Sequence, residues 1–159
     1  MNLSVLSSIS ICVCTVTAAP LGAQSAPGFI NPPGLSTPRG YTHLVDVPAG
    51  TRLVIISGQV ALDSAGRVVG EGNMTTQATQ VFENLKVALT AVGATFSDVI
   101  KLNTYLTSMA KSQAYREVRD RYVNTKAPPA STTVEVSRLF RDEFLVEVEA
   151  IVAVPVKSP

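Results

Sequence analysis

Hydrophobic and polar positions change period several times along this chain, and each change predicts an element. Gln24 to Arg39 has no period; Pro27, Pro32, Pro33 and Pro38 with interspersed glycines predict an extended arm. Tyr41 to Val47 alternates weakly and predicts a first strand, closed by the turn Pro48-Ala49-Gly50. Arg52 to Ala61 is almost continuously apolar and predicts a buried strand, interrupted by Ser57-Gly58-Gln59. A glycine there marks a bulge or a close backbone approach. Asp63 to Gly66 is a turn, and Val68-Val69 extends a strand pair.

The period then becomes helical. Ala78, Val81, Leu85, Ala88, Leu89 and Val92 share one face of a helix over 74–92, with Asn73 as N-cap and Gly93 at its C-terminal end. Val99 to Leu106 predicts a strand. Ser112 to Val123 predicts a second helix with Tyr115, Val118 and Tyr122 inward. Arg116, Glu117, Arg119, Asp120 and Arg121 form its other, solvated face. Two strands end the chain, Pro128–Leu139 and Phe144–Val154; the short charged link at 140–143 predicts a hairpin. In the first, Ser131, Thr133, Glu135 and Ser137 face one way and Thr132, Val134 and Val136 the other; in the second, Glu147 and Glu149 share a face. The order defines an α+β fold, a mixed β-sheet with two helices packed on one face.

The 159 residues predict one domain, over 40–156, behind the arm at 24–39. Met1 to Ala23 contains no charged side chain and resembles a secretory signal peptide, although its n-region has no Lys or Arg. The alternatives are a misassigned start or an apolar extension. With a leader the protein is periplasmic or secreted; without one it is cytoplasmic. Cys12 and Cys14 both lie in this segment, so the chain beyond it offers no thiolate and no disulfide. Formal net charge is +1 with no basic stripe, so no nucleic-acid partner is expected. Apolar runs after residue 30 are too short to span a bilayer.

His43 is the single histidine, so no metal site is expected. No Gly-x-Ser-x-Gly elbow and no phosphate-binding glycine loop with lysine occurs. Glu147 stands out. A carboxylate between apolar neighbours on a strand is desolvated, which suits proton transfer, unless it is solvated or ion-paired.

Several motifs in order then carry a resemblance: Gly40-Tyr41, Ile56-Ser57-Gly58-Gln59-Val60, Gln77, Asn84-Leu85, Ala91-Val92-Gly93-Ala94, Asp98-Val99-Ile100-Lys101, Pro129-Ala130, Val134-Glu135-Val136-Ser137-Arg138-Leu139, and Val146 to Ile151. Over most of the chain beyond the leader this is similar to the RidA/YjgF family, the reactive-intermediate deaminases. The resemblance implies a chorismate-mutase-like fold, a homotrimer, and small-molecule clefts between subunits. It also implies hydrolysis of 2-imino acids or their enamine tautomers to 2-keto acids and ammonia, without metal or organic cofactor. By the same resemblance Glu147 is catalytic and positions water, while Tyr41, Ser57, Ser131 and Thr133 bind substrate. The family's carboxylate-binding arginine falls at Ser131 here, and its frequent cysteine at Thr133. Arg138 matches an arginine that active members carry as well as the catalytic one.

A guanidinium holds a carboxylate through two charge-assisted bonds, whereas a serine hydroxyl offers one neutral donor. Losing a charge-assisted bond in a secluded cleft weakens binding roughly ten- to a hundredfold. Three readings therefore stand: the deaminase, a non-catalytic trimeric small-molecule-binding protein, and, third, the ribonuclease-like activity associated with the family. Arg39 or Arg52 from a neighbouring subunit is a candidate replacement cation.

Overall fold

A computed structural model describes residues 26–155. The leader segment read at 1–23 lies outside these residues. The long elements are set by a few local signals. Helix α1, Met74–Ala91, starts where the Asn73 side chain accepts a hydrogen bond from the Thr76 N–H. It ends where Gly93 takes φ +72° and the Ala94 N–H reaches the Leu89 carbonyl at 2.9 Å.

Four strands form the main sheet: β3 (Thr51–Gln59), β4 (Val99–Leu106), β5 (Ala130–Glu135) and β6 (Val146–Pro155), in the order β3-β6-β4-β5. Two short strands precede them. β1 (Gly28–Ile30) and β2 (Leu44–Asp46) pair antiparallel, so the Pro/Gly-rich arm is tied to residues 44–46.

The predicted hairpin is not formed. β5 pairs in parallel with β4, while β6 lies antiparallel between β4 and β3. The reason is burial. Val146, Val148, Ala150, Val152 and Val154 are all buried, and a strand this apolar takes a central place with two hydrogen-bonded neighbours. β5 begins after Pro128-Pro129 and is half-exposed, which fits a sheet edge. A parallel neighbour requires a crossover, supplied by helix α2, Ser112–Arg119.

α1 and α2 cover one face of the sheet. Leu102, Thr104 and Leu106 of β4 and the buried valines of β6 point to them, alternating with half-exposed residues. Phe82 of α1 stacks on Tyr122 at 5.0 Å and lies 6.1 Å from Tyr115 of α2. Leu85 and Leu102 are fully buried; each such side chain contributes roughly 1.5–3 kcal/mol. Gln77 is buried too: its amide donates to the Glu143 carbonyl at 2.6 Å and accepts from the Leu145 N–H at 2.8 Å. That clasp fixes where β6 begins. The architecture is the α+β, chorismate-mutase-like fold expected from the sequence.

Two burial expectations are corrected. β3 is not buried throughout: Leu53 and Ile55 are 56% and 81% exposed, because among the described residues no helix covers that face of the sheet. On α2, Arg119 is not on a solvated face. It is 6% exposed, below the turns that carry the chain to Val123. Among the described residues no helix is long and apolar enough to cross a membrane.

Candidate functional site

The sequence-predicted residues divide between the two faces of the sheet. Ser131 stands opposite Leu102 and Thr133 opposite Thr104, so both point to the helix side. Glu147 stands opposite Tyr105, on the open side. The polar cluster expected of a hairpin therefore does not exist within one chain.

On the helix side, Tyr41, Ser131 and Thr133 line a cavity of about 270 Å³ with Arg39, Arg116 and Arg119. Tyr41 is held there by its neighbour. The Thr42 hydroxyl donates to the Pro128 carbonyl at 2.6 Å, and the Thr42 N–H to the Pro129 carbonyl at 3.3 Å. These bonds lay residues 40–42 along the start of β5. Tyr115 also borders the cavity, its hydroxyl 2.7 Å from Thr104 Oγ1. Burial pushes that phenol's pKa up, so it stays protonated. Arg39 thus reaches this cavity from its own chain. Arg52 does not: it donates to the Val92 carbonyl at 2.8 Å, at the C-terminal end of α1.

On the open side, Glu147 and Glu149 border a shallower depression with Tyr105, Val136, Arg138, Leu139 and Phe140. Glu149 accepts hydrogen bonds from Asn103 and from the Tyr105 hydroxyl, both at 3.2 Å. The Glu147 carboxylate makes no hydrogen bond among the described residues. Partial burial pushes its pKa up, and the charge of Glu149 adds to the effect. The side chain lies against Gly58, where β3 shifts register against β6; a Cβ at residue 58 would fall 2.7 Å from Glu147 Cδ. Both readings of that glycine, bulge and close approach, are realised. Ser57 lies beside it on the open side, in a third depression that Glu149 also borders.

His43 is a structural residue: Nε2 lies 2.8 Å from the Ser36 carbonyl oxygen, and the ring meets Tyr41 edge-on. Among the described residues no group of three or more His, Cys, Asp or Glu is placed to hold a metal ion. Sequence reasoning missed Arg119. Its signal was position: 115, 118, 119 and 122 form one helical stripe, so Arg119 shares the face of the two tyrosines.

The fold, a mixed sheet with two helices on one face, is of the RidA type. The chain matches the family described as Endoribonuclease L-PSP over residues 35–154 and belongs to it, the RidA/YjgF family. Protein DfrA of Myxococcus xanthus is 41% identical over 111 residues, 70% of this chain and 82% of that protein. A 2-iminobutanoate/2-iminopropanoate deaminase of Dermatophagoides farinae is 31% identical over 101 residues, 64% of this chain and 77% of that protein. Among solved structures, a Rid-family protein of unknown function from Yersinia pestis superposes with a TM-score of 0.73 at 32% identity, covering 80% of this chain and 98% of that one.

Proposed function

We propose that the protein hydrolyses small 2-imino acids or their enamine tautomers to 2-keto acids and ammonia, in clefts completed by a second copy of the chain within a homotrimer. The observation that carries this reading is the Glu147 carboxylate. It is partly desolvated, lies over Gly58, and is free of hydrogen bonds within the described chain. A carboxylate with a raised pKa is a stronger base and can take a proton from water and return it. Water oxygen adds to the imine carbon as one of its protons passes to Glu147 and on to nitrogen, giving the carbinolamine. Glu147 then takes the carbinolamine hydroxyl proton and delivers it to the amine, the carbon–nitrogen bond breaks, ammonia leaves, and the carbonyl forms. The deaminase among the relatives supports the substrate class. Uncovered Leu53 and Ile55, on the side of Glu147, support a second copy there.

The test is release of 2-oxobutanoate from 2-iminobutanoate generated in situ by an amino-acid dehydratase. Acceleration over buffer is expected. No acceleration, alongside an active arginine-bearing relative, removes the reading for this substrate.

A second reading is favoured by the neutral Ser131: a binding protein without turnover. It predicts that a small metabolite raises the melting temperature while no imine is consumed. A panel that never shifts the melting temperature counts against it. Export is proposed on the Met1–Ala23 reading alone. Protein from its native host should begin after Ala23; an intact Met1 on that protein removes the proposal.

A further inference from the structure

We propose that Arg119, on α2, is the guanidinium that holds the ligand carboxylate in the Tyr41, Ser131 and Thr133 cavity. This deepens the small-acid reading of the site and needs binding alone, with no turnover. Three arginines line the cavity, and the described residues lining it include no Asp or Glu. Its interior therefore favours an anion. Arg39 and Arg116 are exposed, and Arg116 is hydrogen-bonded to Ser112 at 3.2 Å. Arg119 differs: its side chain is 7% exposed.

A buried guanidinium needs partners for its donors. Asp120 Oδ1 takes Nε at 2.8 Å and Nη2 at 2.7 Å, so one oxygen occupies one edge of the fork. Nη1 and the other Nη2 hydrogen make no hydrogen bond among the described residues. That second edge has the spacing of a carboxylate's two oxygens.

The guanidinium is also fixed in place. Gly40 passes over it at φ +78°, and a Cβ there would lie 2.6 Å from Nη2. Thr42, bonded to Pro128 and Pro129, holds that backbone down. A preorganised donor keeps more of its interaction energy on binding. Ser131 and Thr133 are short, which leaves the strand side of the cavity for the ligand body. The charge absent from strand position 131 is thus present on the helix opposite. The ligand class is a small monocarboxylate, in a cavity of about 270 Å³.

The test is calorimetric titration of 2-oxobutanoate, with methyl 2-oxobutanoate as the uncharged control. The wild type should bind the acid at least tenfold more tightly than the ester. Arg119→Gln should weaken acid binding roughly ten- to a hundredfold and leave ester binding unchanged, and Arg119→Lys should restore part of the loss. Wild-type protein that binds the acid no better than the ester, or an Arg119→Gln variant that binds the acid as the wild type does, overturns the proposal. Should Arg119→Gln not fold, Asp120→Asn decides: removing the competing anion should tighten acid binding severalfold, and unchanged or weaker binding overturns it. Arg119-dependent binding without imine hydrolysis keeps this proposal and removes the deaminase reading. Hydrolysis with an unaltered KM in Arg119→Gln does the reverse.

Discussion

Glu147 and Gly58 interlock: the carboxylate side chain occupies the space a Cβ on residue 58 would need, 2.7 Å from Glu147 Cδ. The bulge in β3 and the seat of the carboxylate are one feature. Gly58→Ala must displace the Glu147 carboxylate, the far end of a flexible side chain, so the shift costs little stability. Urea denaturation should show a change of about 0.5 kcal/mol or less. Imine hydrolysis should fall at least tenfold, because the carboxylate moves. A variant of wild-type rate would show that the two residues are not coupled.

Glu147 should also mark the pH dependence of stability. Its pKa is raised above the ordinary 4.5 in the folded chain, by burial first and by Glu149 second. The fold therefore favours the protonated form. The stabilising contribution is complete below pH 4.5 and is lost as pH rises through the folded-state value. Glu147→Gln removes the charge and keeps the shape. Its melting temperature should exceed that of the wild type at pH 8, with the gain shrinking towards pH 4. A gain that does not change with pH would place its origin elsewhere. The same variant should lose hydrolysis, a stabilisation gained at the expense of the site.

Ile55 and Leu53 should mark where copies meet. Among the described residues nothing covers Leu53 and Ile55, and exposed apolar side chains of this kind favour a partner surface. Ile55→Lys puts a charge at a position that is 81% exposed within one chain, so the chain itself should fold normally. Sedimentation should show the wild type as a trimer and the variant as a monomer with unchanged far-ultraviolet circular dichroism. A variant that stays trimeric would move the interface to another face.

How much of this was legible in the sequence depends on which level of structure holds the information. The helix over 74–91 was legible because its period, its Asn73 cap and Gly93 are all local. Strand positions were legible for the same reason; strand partners were not. A ten-residue apolar strand such as β6 looks alike beside any neighbour, and only the whole sheet decides that β4 and β3 flank it. The apolar run of β3 predicts burial within the chain, while Ile55 is 81% exposed and buried by none of the described residues. Arg119 was read by its charge, in a run with Arg116, Glu117, Asp120 and Arg121. Its place one residue past Val118 and four past Tyr115 put it inside. Family likeness groups Tyr41, Ser57, Ser131 and Thr133 as substrate-binding, and the structure brings Tyr41, Ser131 and Thr133 to one cavity. Glu147 and Ser57 belong to the other face, a division that only sheet register reveals.

In the proposed function the Glu147 half and the Ser131 half of the site come from different copies, since one chain holds them on opposite faces of its sheet. The direct measurement mixes two inactive variants. Glu147→Gln disables one half, and Ser131→Phe fills the cavity of the other. Each alone should be inactive on 2-iminobutanoate. Co-refolded as mixed trimers, they should regain activity well above either parent, because some interfaces then pair an intact glutamate with an open cavity. Mixed trimers, verified by mass spectrometry, that stay as inactive as both parents would contradict a site shared between copies.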